Sequence, residues 1–260
     1  MEFKKIKFDN EVARFIVKNV NTAYVNAIRR YIINRVPTLA IEEIEFVENG
    51  SALYDEILAN RLGLIPLTTD LKTFVEKDKC RCKGAGCAKC EVKLTLNKTG
   101  PCTVYAKDLN CKDPGVKAVY PDMPIVKLVE GQSLKFEAKA VLGNGKMHAK
   151  FSPGLAYYQG YPVFKIKQSK DASKAVAACP KKILELNKDK LKVVDELKCD
   201  LCKACEAVSN AISVKGSDKD FIFTLESWGQ ISTKEILSKA VEIFNEEIDE
   251  LNKALSKVKS

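Results

Sequence analysis

The sequence predicts an α+β fold with three parts: a β-rich middle, a small cysteine-bearing segment and a long C-terminal helix. Three observations carry this. Apolar residues take every second position in Val92-Leu94-Leu96 and Leu134-Phe136-Ala138-Ala140, the period of a strand with one buried face. Cysteines crowd into two short runs, 80–90 and 199–205, in a chain with a single histidine. Leu237, Val241, Phe244, Ile248, Leu251, Leu255 and Val258 recur at spacings 4-3-4-3-4-3, a heptad seam.

In chain order, Phe3 to Phe8 and Val12 to Val17 are rich in β-formers. Asp9-Asn10 supplies turn residues between them, so a hairpin opens the chain. Asn21 and Thr22 suit the N-terminal cap of a helix running to about Arg35, with Tyr24, Ala27, Ile28, Tyr31 and Ile32 on its apolar side. Pro37 stops it, because proline disfavours helical geometry in the preceding residue. Ile41 to Val47 alternates as a strand. Leu53 to Leu62 reads as a short helix with Gly63 as its C-terminal stop. Thr68 to Gly160 is a β-rich insert punctuated by Gly and Pro. The cysteine-bearing segment runs from about Lys167 to Val214, and its middle, Ile183 to Leu197, is lysine-rich. Phe221 to Leu225 is a strand, and Ser232-x-x-Glu235 is a capping box that opens the last helix. That helix covers about 26 residues, ~39 Å at ~1.5 Å per residue. Its 3.5-residue period favours a seam against a partner helix, from a second copy or another chain, over an ordinary core face.

The chain has 260 residues, 46% apolar and 30% charged, the balance of a soluble globular protein with room for two or three small domains. No apolar run approaches the ~20 residues of a membrane helix. Met1-Glu2-Phe3-Lys4-Lys5 is not followed by an apolar signal core, so a cytoplasmic location is expected. Ten cysteines in that setting favour metal ligation over disulfides. The net charge of +9 permits nucleic-acid contact, but no dense Lys/Arg block with interleaved aromatics occurs, so the lysines read as solvated. The lone histidine, His148, excludes His-rich metal sites and makes a Ser-His-Asp or Cys-His device hard to build; a structural role is expected.

Cys80-x-Cys82-x4-Cys87-x2-Cys90 forms two short hooks joined by a loop bearing Gly84 and Gly86. Such a set can wrap one tetrahedral Zn2+, and four thiolates leave no open position, so the role would be structural. Reduced thiols or local disulfides are the alternative. Cys102 and Cys111 read as buried free thiols, with a disulfide between them left open under oxidation.

Cys199, Cys202 and Cys205 form C-x2-C-x2-C, and upstream lies Cys179-Pro180. This resembles half of a two-cluster bacterial ferredoxin, where the run is C-x2-C-x2-C-x3-C-P and the fourth Cys of each run ligates the other cluster. Cys179 with Cys199, Cys202 and Cys205 is one such set. The other set is lost: the positions expected to hold cysteine carry Ser169, Ala172, Ala175 and Ser209. The segment is therefore expected to be ferredoxin-like, with one [4Fe–4S] cluster, or a [3Fe–4S] form of it. A four-cysteine zinc site is the alternative, disfavoured because the run is more crowded than the usual pair of zinc hooks.

Gly143-x-Gly145-x-x-His148 lacks the third glycine and following helix of a dinucleotide loop and reads as a hairpin loop. No Walker A run, paired catalytic carboxylates or Asp-rich Mg2+ loop is present. No catalytic residue is expected in this chain.

Asn26-Ala27-Ile28-Arg29-Arg30 followed by Pro37, then Asn60-Arg61-Leu62-Gly63-Leu64-Ile65-Pro66-Leu67, then His148-Ala149-Lys150-Phe151-Ser152-Pro153 occur in that order. With both cysteine clusters and the long last helix, they resemble the D-subunit family of archaeal DNA-directed RNA polymerases over essentially the whole chain. That family is similar to the amino-terminal domain of the bacterial alpha subunit and to the third-largest eukaryotic polymerase subunit. The resemblance implies a split dimerisation domain (1–40 and 216–260), a β-rich insert domain with the four-cysteine metal site (41–166), and a ferredoxin-like domain (167–215). It implies a non-catalytic assembly subunit of a nucleotidyltransferase. Such a subunit pairs with the small subunit L and carries the large catalytic and small assembly subunits, reaching DNA only through the complex. Leu237, Val241, Phe244, Ile248 and Leu251 would bury against L, while Arg29, Arg30 and the 60–67 segment would face the second-largest subunit.

Two other readings compete. A ferredoxin-type electron-transfer subunit of an oxidoreductase accounts for Cys179 to Cys205 and nothing else, and no flavin or nicotinamide motif accompanies it. A zinc-containing nucleic-acid-binding module uses the charge and the Cys80 run but leaves the heptad seam and the ferredoxin motif without a purpose.

Overall fold

A hairpin does open the chain: β1 (Glu2–Phe8) and β2 (Val12–Lys18) are joined by a turn in which the Asp9 carboxylate accepts the Glu11 and Val12 amides at 3.0 and 2.7 Å. There follow α1 (Thr22–Arg35), β3 (Thr38–Asn49), α2 (Asp55–Gly63), β4 (Glu91–Thr99), β5 (Cys102–Tyr105) and β6 (Asn110–Cys111). Next come β7 (Pro124–Leu128), β8 (Ser133–Gly143), β9 (Gly154–Ile166), α3 (Ala172–Ala178), β10 (Leu184–Asn187) and β11 (Lys190–Val193). The chain closes with α4 (Ala204–Val208), β12 (Ile212–Ser227) and α5 (Thr233–Val258). These elements are those of a computed structural model that describes residues 1–188 and 190–258. The mixed α+β class read from the sequence is the class observed, and among the described residues no helix is long and apolar enough to cross a membrane.

The chain divides into two compact units. The first comprises Met1–Lys7, Arg14–Ala27 and Tyr157–Thr224. Its main sheet has the order β1-β2-β12-β9, and a separate β10–β11 hairpin pairs Leu184 with Val193 and Asn187 with Lys190. Around that hairpin, Ala172, Ala175, Ile183, Leu184, Leu191, Ala211, Ile212 and Val214 form a small apolar core that includes Cys199 and Cys205.

The second unit comprises Phe8–Ala13, Ile28–Ala156 and Leu225–Ser260. Its sheet has the order β3-β8-β4-β6. The alternating residues expected to face inward do so: Val92, Leu94 and Leu96 of β4 and Leu134, Phe136, Ala138 and Ala140 of β8 are buried, packed with Leu58 and Leu62 of α2.

Several elements differ from the sequence reading, each for a physical reason. In α1 the buried stripe is Val25, Ile28 and Ile32; Tyr24 is exposed, so the apolar side is rotated from the one expected. Asn21 does cap the helix, accepting the Tyr24 amide at 2.8 Å. β3 is longer than 41–47, because register shifts between Ile41 and Glu43 and between Phe46 and Glu48 interrupt its alternation without ending its pairing to β8. Gly63 is no left-handed stop. It is the last residue of α2, and the C-cap that follows, Leu64, is right-handed with φ −88°, so no left-handed residue ends the helix. β12 extends far beyond 221–225, since a strand held between β2 and β9 needs no apolar alternation across Lys215–Asp220. The 143–148 stretch is not a hairpin loop: it leads from β8 to β9, which belong to different sheets, and the backbone of Gly145 lies against the Ile33 carbonyl, leaving no room for a side chain.

Candidate metal centres and partner surface

The first cysteine set is built by a turn and a tight loop. A 3-10 turn, Lys77–Lys79, delivers Cys80, and Cys90 stands immediately before β4. Between the hooks, Lys83, Gly84 and Gly86 have φ of 53°, 84° and 87°, the left-handed conformation that folds the loop back on itself. The four sulfurs lie within 4.8 Å of one another. Cys80–Cys87 and Cys82–Cys90 are 3.5 Å apart and Cys87–Cys90 is 3.8 Å. Zinc–sulfur bonds of about 2.3 Å imply a tetrahedron edge of about 3.8 Å, so the thiols stand close to the corners a single ion needs.

Hydrogen bonds from the Cys80 and Cys90 thiols pull the Cys82 thiol down to about 6, and burial is the main cause that pushes Cys90 up to about 12. One thiolate forms readily and its buried neighbour keeps its proton unless a cation replaces it. Gly86 also admits the Glu91 carboxylate, which pairs with Lys77 at 3.1 Å; a Cβ at Gly86 would stand 3.0 Å from a Glu91 oxygen. Four converging soft donors fit a metal ion.

Cys179, Cys199, Cys202 and Cys205 line one cavity, walled by Phe164, Ile183, Leu184 and Val214. Cys179 caps the end of α3, Cys205 sits in α4, and Cys199 follows a 3-10 turn, Glu196–Lys198. Leu201 and Lys203 both have φ of 60°, so the C-x2-C-x2-C run curls around the cavity instead of extending past it. Burial raises the Cys199 and Cys205 thiols. Among the described residues, only the Cys80 set brings its ligand atoms within 4.8 Å of one another. Of the positions where the sequence reading expected lost ligands, Ala172 and Ala175 are buried in the apolar core, the buried Ser209 hydroxyl accepts the Ala211 amide at 3.1 Å, and Ser169 is half-buried.

Along α5, the stripe that packs into its own unit is Ile236 and Ala240, which the heptad reading missed because it lies one residue off the seam. Ser232 accepts the Glu235 amide at 3.3 Å, one of the two bonds of the expected capping box. Further along, Tyr31 and Phe244 meet edge to face and Tyr31 donates to Glu247 at 2.7 Å. The remaining seam stands in solvent: Val241 and Ile248 are 40% exposed, Leu255 51% and Leu251 59%.

Residues 39–154 match the family model described as the RNA polymerase Rpb3/RpoA insert domain. Over nearly the whole chain, the DNA-directed RNA polymerase subunit Rpo3 of Methanosarcina acetivorans is 40% identical, covering 96% of this chain and 97% of its own length. The chain belongs to the Rpo3 family. The Rpo3 of Methanosarcina mazei is 39% identical with the same coverage, and that of Methanosphaera stadtmanae 37% identical over 94% of each chain.

The other motifs that suggested the Rpo3 family fall on distinct features. Arg30 on α1 is exposed and Arg29 half-buried. In the 60–67 segment, Leu62, Ile65 and Leu67 are buried, while Leu64 and, two turns earlier in α2, Ile57 are exposed. Arg61 between them donates to the Pro124 carbonyl at 2.9 Å. His148 is structural: its Nδ1 accepts the Lys150 amide at 3.1 Å and caps a 3-10 turn. Lys150 donates to the Ile41 carbonyl at 2.9 Å and pairs with Glu42 at 2.5 Å. Cys102 and Cys111 are free, half-buried thiols on strands of different sheets.

Proposed function

We propose that this chain is a non-catalytic assembly subunit of DNA-directed RNA polymerase. It pairs with the small subunit L and offers the pair as a platform to the large catalytic subunits and small assembly subunits. DNA is reached only through the complex, and the location is cytoplasmic. The observation that carries this reading is the exposed heptad seam of α5, which continues past the helix's own packing stripe in a chain related to Rpo3 subunits end to end. Full burial of a Val, Ile or Leu side chain contributes about 1.5–3 kcal/mol, so Val241, Ile248, Leu251 and Leu255 together can hold a stable partner helix. A second contact face, with Arg29, Arg30 and the exposed Ile57 and Leu64, suits the second-largest subunit. The three-part division at 1–40 with 216–260, 41–166 and 167–215 belongs to this reading.

The Cys80–Cys90 set would hold Zn2+ as a closed structural site. Cys179, Cys199, Cys202 and Cys205 would hold one [4Fe–4S] cluster in a ferredoxin-like segment, supported by four cysteines that line one cavity. When bound, such a cluster supplies iron–thiolate bonds that tie α3, α4 and the 199–205 loop together. The apolar wall of Phe164, Ile183 and Leu184 shields three of its four ligands, and Cys202 remains exposed.

The decisive experiment is co-purification with subunit L. Wild type should co-elute with L in gel filtration, and the double variant Ile248→Asp with Leu251→Asp should not. Undiminished pairing by the double variant would overturn the assembly reading.

A further inference from the structure

Three side chains of the β1-β2-β12-β9 sheet grip the short segment that presents Cys199. Arg14 of β2 donates from Nη2 to the Leu197 carbonyl at 2.7 Å, across 183 residues of sequence. Gln159 of β9 donates from Nε2 to the carbonyl of Cys199 itself at 2.9 Å. Tyr161, two residues further along the same strand, donates its hydroxyl to Glu196 at 2.8 Å. Those partners lie on one turn, so the sheet holds its first residue, Glu196, by the side chain and its Leu197 and Cys199 carbonyls directly.

The far side of Cys199 is seated as well. Gly160 of β9 and Gly216 of β12 lie together, and a Cβ on Gly216 would stand 3.1 Å from a methyl of Leu201. Gly216 makes room for Leu201, whose left-handed backbone begins the curl around the cavity. A ligand's own backbone held on both flanks cannot drift away from the cavity without breaking hydrogen bonds to the sheet.

We propose that Arg14, Gln159 and Tyr161 are positioning residues for the cysteine cavity, which hold Cys199 at its ligating place and so set how long a bound iron–sulfur cluster is retained. This rests on the reading of Cys179, Cys199, Cys202 and Cys205 as a cluster site. Arg14 and Gln159 act on backbone carbonyls and Tyr161 on the Glu196 carboxylate, so the clamp depends on donors at these positions and not on their bulk. Outer partners that orient a metal ligand usually matter nearly as much as the ligand's own fit.

The test uses the full chain purified without oxygen, with iron, acid-labile sulfide and zinc measured per chain. The loss of visible iron–thiolate absorption is then followed in excess chelator. Gln159→Leu and Arg14→Met should lose iron about five- to tenfold faster than wild type, the effect of one missing hydrogen bond on a ligand's support. Arg14→Lys, which can still donate to Leu197, should stay near wild type. Lys198→Ala, on the same turn but with an exposed side chain paired to Asp195, should be unchanged. Unaltered zinc at the Cys80 set serves as the folding control in each variant. Equal rates in all variants, or equal loss in Arg14→Met and Arg14→Lys, overturn the clamp alone. Wild type devoid of iron and sulfide overturns the cluster reading and the clamp together.

Discussion

The Tyr31 ring meets Phe244 edge-on, with centroids 4.8 Å apart and planes at 76°, and the Tyr31 hydroxyl is bonded to Glu247 one turn further along α5. Arg35, one turn along α1, pairs with the same Glu247. This joint divides the heptad seam into a part that serves the chain's own fold and a part free for another.

Substitution along α5 should therefore split into two classes. Phe244→Asp should destabilise the isolated chain by about 2–3 kcal/mol, through lost packing and a lost aromatic pair. Ile248→Asp and Leu251→Asp, both at exposed positions, should leave its unfolding midpoint within about 0.5 kcal/mol of wild type while abolishing pairing. Denaturant unfolding of the chain alone, beside gel filtration with subunit L, separates the two. A large loss of stability from Ile248→Asp would show that the seam is an internal core.

Zinc uptake at Cys80–Cys90 should be pH-dependent with a changing slope. Binding needs thiolates, so each protonated ligand adds a proton to be displaced. Cys90, near 12 before metal binds, loses its proton to the ion across the whole accessible range. Cys82, near 6, arrives already ionised above that pH and must also be deprotonated below it. Affinity should thus fall as pH falls, and fall more steeply below about pH 6. Competition against a chromophoric chelator between pH 5 and 8 measures this; a slope that does not change near pH 6 would remove Cys82 from the role of pre-ionised ligand.

Refilling the vacated ligand positions should not restore a second cluster. Ala172 and Ala175 lie in α3, one step of three residues apart on one helix face, and Ser169 lies just before the helix. The intact run instead uses the left-handed Leu201 and Lys203 to curl around its cavity. The quadruple variant Ser169→Cys, Ala172→Cys, Ala175→Cys, Ser209→Cys should carry the same iron per chain as wild type. A doubled iron and sulfide content would refute the argument from helix geometry.

Leu58 of α2 is fully buried in the core of the second unit beneath β4 and β8. Leu58→Ala should cost about 2–5 kcal/mol by removing packed methyl groups and leaving a cavity. Thermal unfolding checks it, and a cost under 1 kcal/mol would mean that α2 can collapse onto the space.

Both cysteine sets, the insert strands and the extent of α5 were legible in the sequence because each is a local pattern. Spacing alone determines that Cys80, Cys82, Cys87 and Cys90 can turn inward around two glycines, and that Val92-Leu94-Leu96 shows one face. What the sequence could not settle was which face of a helix the rest of the chain would cover. Tyr24 and Val25 of α1, or Leu237 and Ile236 of α5, are neighbours of similar hydrophobicity, and only packing chose Val25 and Ile236 for the interior. The polar centre of β12 hid a strand that owes its existence to two flanking strands. The clamp on Cys199 was equally hidden, since Arg14 and Gln159 carry no motif and meet their carbonyl partners only after distant segments fold together. Local spacing encodes what a few bonds can enforce; the choice among equivalent faces is made by burial, which is a property of the whole chain.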